Sequence, residues 1–314
     1  MIKELFKKRC LEEYRLLNKY WTIAVDATGI ATFREKHCDH CLKREYRDED
    51  TGEIKETIYF HYVLEAKLIV GNMVLSIDTE FIENEGEEYK KQDCEIEASK
   101  RLAKRLKEKY KRLPICILGD SLYAVEPIFQ ICKKNKWKYI FTFKEGRTKS
   151  IWEEFQGIKK IEKTEINGCT WVNAIGYQES LVNVIDAKLI EKGEEKNFTY
   201  VTNLTINKNN TEKIVAAGRS RWKIENEGFK NQKHITNNIE HQCCEDYTAM
   251  KNHYLLVQIA DMLRQLFEQG YELIRSLKAG IKEISSRLLE SFRQVPITVE
   301  DIEKLSKRIQ IRYL

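Results

Sequence analysis

Two isolated aspartates, each at the end of a short apolar run, constrain this sequence more than any other feature. Asp26 follows the run TIAV, and Asp120 follows ICILG. Runs of this composition are typical of buried β-strands, so each aspartate is predicted to lie at the carboxyl end of a strand. If the two strands are neighbours, the carboxylates meet at one rim of a sheet, which is where open α/β sheets bind their ligands.

The order of the predicted elements indicates an α/β fold, with a mixed sheet flanked by helices. Two β-prone segments joined at Gly71-Asn72 predict a hairpin, because this pair favours a tight turn. The predicted strands cover 21–27, 57–70, 73–81, 114–119 and 137–143, and the predicted helices cover about 93–110 and 122–135. Antiparallel strands therefore come first and parallel crossovers follow.

The chain changes character on either side of this block. Residues 2–19 predict an amphipathic helix, and residues 158–205 alternate like strands in the segments 159–166, 170–177, 181–190 and 197–206. From about residue 246 the periodicity is helical, and a stripe of apolar side chains is expected in the core: Tyr254, Leu255, Ile259 and Leu263. We predict an N-terminal helix (1–20), a core in two parts (21–150 and 211–270), a β-rich insertion (151–210) and a helical C-terminal segment (271–314).

Charge and composition narrow the class of protein. The net charge is +5, and lysines and arginines concentrate at 101–112, 133–149 and 219–233. Solvated helix faces explain part of this clustering, and a polyanionic partner would explain the remainder. The nine cysteines are too sparse for a disulfide scaffold, and the N-terminus lacks the apolar core of a signal peptide. No apolar stretch is long enough to span a membrane. The sequence therefore predicts a cytoplasmic protein that is not bound to a membrane.

A third acid, Glu225, lies in a segment that reads as a continuous helix. At about 100° per residue, Arg221 and Gln232 lie within about 40° of Glu225 and share its face. Lys233 lies at about 80°, at the margin of that face, and Glu227 at about 200°, nearly opposite. Glu225 is therefore the better candidate for a site that also contains the two strand-end aspartates.

Asp26, Asp120 and Glu225 together form an oxygen-only donor set. Such a set suits Mg²⁺ or Mn²⁺. Two divalent ions between carboxylates can promote in-line displacement at a phosphodiester. We predict that these three residues are the catalytic and metal-binding residues. The alternative interpretation is that they are surface charges or strand caps.

The chain resembles the DDE transposases of bacterial insertion sequences, whose catalytic core is ribonuclease H-like. Asp26 and Asp120 match the two strand-end aspartates of that family. Its helical signature runs tyrosine, two residues, arginine, three residues, glutamate, six residues, lysine, and Arg221 and Glu225 keep the arginine–glutamate spacing. The β-rich block before Glu225 is similar to the insertion domain of one branch. Two positions depart from the signature: Gly218 replaces the tyrosine, and Gln232 the lysine, with Lys233 one residue late.

The resemblance implies a metal-dependent enzyme that cleaves transposon ends in double-stranded DNA and joins them to a target. It also implies a homodimer in the DNA complex. A structure-specific DNA nuclease on the same core is one alternative, and a non-catalytic DNA-binding protein derived from a transposase is another. The intact acidic triad argues against the second alternative, because a binding protein has no need of it.

Several basic and aromatic residues are candidates for contacts with DNA. Lys144 and Arg147 follow the last core strand, near the rim of the aspartates, where they can contact the DNA backbone. Arg221 can contact a phosphate or orient the neighbouring catalytic carboxylate. Lys233 is the basic residue closest to the lysine position of the signature. Trp222 can stack on a base flipped out near the cut, or pack beneath the helix.

Cys38 and Cys41 form a C-x-x-C pair, which supplies half of a tetrahedral zinc site. The remaining ligands are predicted from a second cluster, His241 with Cys243 or Cys244. A similar His-Cys-x-x-Cys element occurs in one branch of the transposases, which implies a structural zinc ion. The alternative is a pair of unligated cysteines in a loop. His61 is predicted to be a packing residue.

Overall fold

The computed structural model describes residues 1–35, 37–86, 89–161, 165–191, 193–241, 243–270 and 279–306. The strands are β1 (Trp21–Phe33), β2 (Leu42–Arg47), β3 (Ile54–Val70), β4 (Met73–Ile82), β5 (Ile115–Gly119), β6 (Lys138–Thr142), β7 (Cys169–Tyr177), β8 (Ser180–Glu191) and β9 (Glu194–Thr202). The helices are α1 (Ile2–Lys7), α2 (Glu95–Lys109), α3 (Glu126–Asn135), α4 (Lys149–Ile161), α5 (Thr211–Ser220), α6 (Tyr247–Gly270), α7 (Ile281–Gln294) and α8 (Val299–Ser306).

The strands of the described residues form one mixed sheet in the order β2-β3-β1-β5-β6-β9-β8-β7, and β4 also pairs with β3. Within its core, β3 is antiparallel to both β4 and β1, whereas β1, β5 and β6 run parallel. The turn between β3 and β4 contains Gly71 at φ +57°, a backbone conformation that favours glycine. This strand arrangement is that of a ribonuclease H-like α/β fold, so the predicted fold class is confirmed.

The β-rich block continues the same sheet. Its strand β9 pairs antiparallel with β6, and β8 and β7 follow outward. Three of its four predicted strands are therefore present. The prediction of a strand at 159–166 is wrong, because α4 extends to Ile161 and buries Ile151 and Phe155; residues 162–164 lie outside the described part of the chain. The division of the chain into domains stays a prediction.

Helices cover both faces of the sheet, because alternate side chains of the central strands are apolar in both directions. One core cluster packs Leu102 of α2, Phe129 of α3 and Phe155 of α4 against the sheet. The cluster on the opposite face contains Ile214 of α5 and Phe229. The two clusters hold the ends of β1 and β5 between layers, which fixes the position of the residues that follow those strands.

The helices predicted at the two ends of the chain agree with the structure to different extents. The predicted helix at 2–19 is wrong beyond Lys7, because Arg9 adopts a left-handed backbone (φ 54°) that ends α1. The C-terminal region is helical as predicted, in α6, α7 and α8; residues 271–278 and 307–314 lie outside the described residues. Among the helices that the structure describes, none is both long and apolar enough to cross a bilayer.

Candidate active site

Strand register brings the two aspartates side by side. Ala24 of β1 pairs with Leu118 of the parallel strand β5, and each aspartate lies two residues further along its strand. The backbone amide of Ala27 donates to Asp26 at 3.1 Å, and that of Leu122 donates to Asp120 at 2.7 Å. Asp120 directly follows the carboxyl end of β5, as predicted, and Asp26 lies next to it on β1. The prediction that Asp26 ends its strand is wrong, because β1 continues to Phe33 through its pairing with β3.

Glu225 approaches the two aspartates from the segment that follows α5. The guanidinium of Arg221 donates to Glu225 at 2.7 Å, and its Nη1 lies 3.6 Å from Asp26. Arg221 is 16% exposed, whereas Glu225 is half exposed. One arginine therefore links the helical carboxylate to the first-strand carboxylate, and the three acids predicted from sequence lie in one neighbourhood.

The environment of Asp26 raises the pKa of its carboxyl group from 3.8 to about 7. Burial is the largest cause, because it disfavours the charged form, and Arg221 acts in the opposite direction. The negative charges of Glu225, Glu95 and Asp120 raise the pKa further. A bound cation would stabilise the charged form of a carboxylate that is buried and close to other carboxylates.

Glu95 is an acidic residue near the aspartates that the sequence analysis did not single out. It is the first residue of α2, and its Oε1 accepts a hydrogen bond of 2.5 Å from the buried hydroxyl of Tyr123. Burial raises the pKa of Glu95, the bond from Tyr123 lowers it, and the charge of Asp120 raises it. No local signal distinguishes Glu95 from the other acids in the first turn of a helix; only the tertiary packing does.

The segment after Arg221 is not the continuous α-helix that the sequence predicts. Residues Ile224–Lys230 and Gln232–Thr236 are π-helical, with wider turns that change which side chains share a face. Gln232 is fully buried instead of lying beside the half-exposed Glu225. Lys233 forms an ion pair of 2.6 Å with Glu240. The contact between Arg221 and Glu225, by contrast, is as predicted.

Both departures from the transposase signature have a structural reason. A Cβ atom on Gly218 would lie 2.6 Å from the ring of Tyr200, so β9 supplies an aromatic ring where the signature has a tyrosine. Gln232, at the lysine position, accepts a hydrogen bond of 3.2 Å from the buried ammonium of Lys67. In both cases a β-strand supplies the type of residue that the signature has at that position: Tyr200 of β9 beside Gly218, and Lys67 of β3 beside Gln232.

A groove beside Arg221 contains two of the predicted DNA-contact residues. It has a volume of about 570 Å³, and Lys144 and Trp222 line it together with Arg221. Trp222 is 41% exposed, which leaves its ring accessible. Arg147 lies close to the rim, because its Nε donates to the backbone carbonyl of Ser121 at 3.1 Å.

A second cluster lies beyond the end of β1. The sulfur atoms of Cys38 and Cys41 are 3.7 Å apart, and each lies 3.3 Å from Nε2 of His61. His61 reaches them because it pairs with Ala31 across β1 and β3, next to the loop that contains the cysteines. Burial lowers the pKa of His61 to about 4, so its imidazole is neutral at neutral pH. His61 is buried and stacks on Tyr247, as predicted for a packing residue, and its Nε2 also faces both cysteines.

His241 and Cys243 do not complete this cluster as the sequence suggests. Among the described residues, the donor atoms that lie within 4.8 Å of one another are those of Cys38, Cys41 and His61. Cys243 is exposed, and its sulfur lies 3.5 Å from that of Cys244. The third donor therefore comes from β3, close in space to the loop, and not from the later histidine–cysteine segment.

The stripe expected on α6 is also different. Tyr254 is buried as predicted, but the prediction of core positions is wrong for Leu255, Ile259 and Leu263, which are about 40% exposed or more. The buried side of α6 combines apolar residues, Met250, Tyr254 and Val257, with polar ones, Gln258, Asp261, Arg264 and Gln265. Gln265, for example, bonds the backbone of Val74 through both its amide nitrogen and its oxygen. These polar groups face inward because each has a partner there.

Comparison with known proteins identifies the family of the chain. Residues 17–263 match the family described as Transposase DDE domain. The chain therefore belongs to the DDE transposase family, as the sequence resemblance indicated. No curated protein matches it. Among solved structures it is similar to a piggyBac transposase in a synaptic complex with hairpin DNA, with 10% identity and a TM-score of 0.47. That alignment covers 98% of this chain and 61% of the other, so this chain spans less than two thirds of its length.

Proposed function

We propose that the protein is a DNA transposase that cleaves the ends of its element and transfers them to a target, with divalent metal ions as cofactors. The observation that carries this proposal is the convergence of Asp26, Asp120 and Glu225 in a chain of the DDE transposase family. Each acid comes from a different element, and the fold brings all three into one neighbourhood.

The donor set fits Mg²⁺ or Mn²⁺. It consists of carboxylate oxygens only. Burial and, to a smaller extent, the neighbouring carboxylates raise the pKa of Asp26, and a bound cation would offset both effects. We propose that Asp26, Asp120 and Glu225 hold two such ions, which would supply Lewis-acid activation and charge neutralisation at the reacting phosphate. Arg221 offsets part of this charge in the protein itself, through its contacts with Asp26 and Glu225.

The remaining residues of the site would bind and orient DNA. Lys144 and Arg147 lie beside the rim, where positive charge favours phosphates. The exposed ring of Trp222 can stack on an unpaired base at the cut. Lys233, already paired with Glu240, would contribute mainly to the positive potential of this surface. The reaction is in-line attack by water, or by a DNA 3′-hydroxyl, with departure of the opposite 3′-oxygen.

We also propose that the protein acts as a homodimer on double-stranded DNA. The piggyBac transposase structure reported above is a synaptic complex with hairpin DNA. Bringing two transposon ends together requires two active sites, and a homodimer supplies them by symmetry. Gel filtration and multi-angle light scattering with and without end DNA would measure the stoichiometry.

Cleavage and joining assays test the proposed activity. The purified protein, with Mg²⁺ or Mn²⁺, is incubated with a duplex that contains the genomic sequence flanking its gene, together with a supercoiled plasmid as target. We expect nicked ends and joined product from the wild type and neither from Asp26→Asn, Asp120→Asn or Glu225→Gln. Gel shifts with the same duplex should change little, because the carboxylates do not attract the DNA backbone.

The outcomes separate the three candidate functions. Nicking without joined product would favour a structure-specific nuclease. Binding without metal-dependent nicking by the wild type would favour a non-catalytic DNA-binding protein. Full nicking by any one variant would remove that residue from the proposed site.

We further propose a structural zinc ion at Cys38, Cys41 and His61. Zinc–sulfur and zinc–nitrogen bonds of usual length give donor separations of about 3.8 Å between sulfurs and about 3.6 Å between sulfur and nitrogen in a tetrahedral site. The observed separations are 3.7 Å and 3.3 Å. A cavity of about 480 Å³, which also contacts Glu35 and Glu245, adjoins the cluster and leaves room for a fourth ligand. Tyr247 of α6 stacks on His61 with 4.6 Å between ring centroids, so the zinc site would tie α6 to the sheet.

A further inference from the structure

We propose that Glu95 is a fourth carboxylate of the active site and helps Asp26 and Asp120 to hold a divalent cation. This inference rests on the proposed function, because it assigns a residue to the same site. It goes beyond the three acids that the transposase signature predicts, since Glu95 belongs to none of the motifs in the sequence.

The first support is the position of Glu95 in the fold. Helix α2 lies in sequence between β4 and β5 and begins at Glu95, whose carboxylate contacts the turn that follows β5. The hydroxyl that binds Glu95 belongs to Tyr123, which is 1% exposed. Tyr123 ends the short 3₁₀ turn that Asp120 caps. Glu95 and Asp120 are therefore attached to the same rigid turn.

The second support is electrostatic. The charge of Glu95 acts on Asp26, and Glu95 and Asp120 act on each other. Burial raises the pKa of Tyr123, and the charges of Glu95, Asp26 and Asp120 raise it further; of the three carboxylates, Glu95 contacts the hydroxyl directly. Partly buried carboxylates this close to one another repel, and a divalent cation is the partner that removes the repulsion.

A favourable interaction with the helix dipole does not explain this arrangement. Acids in the first turn of a helix are stabilised by the dipole wherever they point. Glu97 occupies the same turn of α2, but it is half exposed and pairs with Lys100 at 2.6 Å. Glu95 instead turns inward toward a buried hydroxyl. Glu97 is therefore a matched control, since it shares the helix turn and lacks the site.

The test measures Mn²⁺ binding to the full-length protein by electron paramagnetic resonance, in the absence of DNA. We expect Glu95→Gln to weaken Mn²⁺ binding by about tenfold or more, the range seen when groups that support a metal site are removed. The Mn²⁺ concentration for half-maximal nicking should rise by a similar factor. Glu97→Gln should change neither quantity by more than about twofold, because an exposed ion pair contributes little.

Two further variants separate metal binding from a structural role. Tyr123→Phe removes the hydrogen bond and keeps the Glu95 carboxylate, so Mn²⁺ binding should fall less than in Glu95→Gln. Glu95→Asp keeps the charge and withdraws it by one methylene, and should be intermediate. Equal losses in Tyr123→Phe and Glu95→Gln would show that Glu95 acts only by fixing the turn, and would overturn the proposal.

Failure of this inference is distinguishable from failure of the proposed function. If Asp26→Asn loses Mn²⁺ and nicking while Glu95→Gln resembles the wild type, Glu95 is not part of the site and the proposed function stands. If the folded wild type neither binds Mn²⁺ nor nicks DNA, both proposals are wrong.

Discussion

The ammonium of Lys67 on β3 donates a hydrogen bond to the side-chain oxygen of Gln232 at 3.2 Å, and both side chains are fully buried. Lys67 also donates to Gln258 of α6 at 3.0 Å and lies 5.1 Å from the ring centroid of Phe229. Burial lowers the pKa of Lys67, while the charges of Glu65 and Asp261 raise it. One buried cation thus connects the central sheet, the π-helical segment and α6.

This relationship predicts the effect of restoring the signature lysine. Gln232→Lys would place a second ammonium beside Lys67 in a buried position, where repulsion and lost hydration act together. We expect the free energy of unfolding to fall by about 3–5 kcal/mol, the usual cost of an uncompensated buried charge. Urea unfolding followed by circular dichroism measures the change.

The double variant Lys67→Gln/Gln232→Lys is the control for that prediction. It exchanges the two residue types and keeps one cation and one amide in the buried site. We expect it to recover about half or more of the lost stability, because coupled residues in contact deviate from additivity by up to about 3 kcal/mol. Additive losses in the double variant would show that Lys67 and Gln232 are not coupled.

Asp26 should make the metal-free protein less stable as the pH rises. Its pKa is about 7 in the folded protein, against 3.8 ordinarily, so unfolding releases a proton between these values. The stability that protonated Asp26 contributes is complete below about pH 4 and is lost as the pH rises through about 7. Asp26→Asn does not titrate, so its advantage over the wild type should grow across this window, by on the order of 4 kcal/mol at about 1.4 kcal/mol per pKa unit.

Urea unfolding in EDTA at several values between pH 5 and pH 8 measures this difference. Added Mn²⁺ should stabilise the wild type and leave Asp26→Asn nearly unchanged, because only the native site with all its ligands binds the ion. A difference between the two proteins that does not vary with pH would contradict the raised pKa of Asp26.

Arg221 should control the ionisation of Asp26. Its positive charge is the principal influence that lowers the pKa of that carboxyl, through a separation of 3.6 Å. Arg221→Met should therefore raise the pKa of Asp26 above its wild-type value. Carbon-13 NMR of the aspartate carboxyl groups, assigned with Asp26→Asn, follows the titration directly.

The neighbouring Arg219 provides the comparison. It lies over the ring of Phe198 at 4.4 Å and pairs with Glu191, away from the aspartates. Arg219→Met should leave the titration of Asp26 where it is. An equal shift in both variants would indicate a general loss of positive charge and not the specific contact of Arg221.

Replacement of Glu225 by glutamine should affect metal-dependent cleavage much more than replacement of Glu227 does. Glu225 bonds Arg221, whereas Glu227 lies two residues on, which places it on nearly the opposite side of a helix even in a wider π-helical turn. Glu225→Gln should lower metal-dependent cleavage by about 100-fold or more through loss of charge stabilisation at the phosphate. Glu227→Gln should leave it within a few-fold. An inactive Glu227→Gln with an active Glu225→Gln would transfer the role to Glu227.

Zinc should depend on His61 and not on the later histidine–cysteine segment. Protein purified without chelator should contain about one zinc equivalent, and Cys38→Ser or His61→Ala should lose it along with thermal stability, because such binding is coupled to folding. His241→Ala and Cys243→Ser are matched controls that should retain it. Elemental analysis decides between the two sets, and absence of zinc from the wild type would exclude the site.

Local composition predicts the strands that lead to Asp26 and Asp120, because each aspartate follows an apolar run. The structure shows that these strands, β1 and β5, are neighbours, and that β1 continues beyond Asp26 to Phe33 because β3 pairs with it. The spacing of Arg221 and Glu225 likewise predicts their contact, because four residues correspond to about one helical turn. These inferences depend on local composition and spacing, which a single sequence displays in full.

Contacts between residues that lie far apart in the sequence could be identified only from the tertiary structure. Gln232 and Lys67 are separated by 165 positions, and their buried bond goes with a π-helical turn where a regular α-helix is predicted. The polar side of α6 faces inward for the same reason, since Gln258 and Gln265 find partners on β3 and β4. Hydrophobic periodicity assumes that polar groups face water, and that assumption fails where the core satisfies their hydrogen bonds.

His61 and Glu95 show the same physical limit at the two sites. Neither lies in a motif, and each looks locally like an ordinary strand histidine or helix-start glutamate. Strand register sets His61 opposite Ala31 and so beside the cysteine loop, and the packing of α2 turns Glu95 toward Tyr123. The chemistry of both residues follows from their neighbours in space, which register and packing specify and local sequence does not.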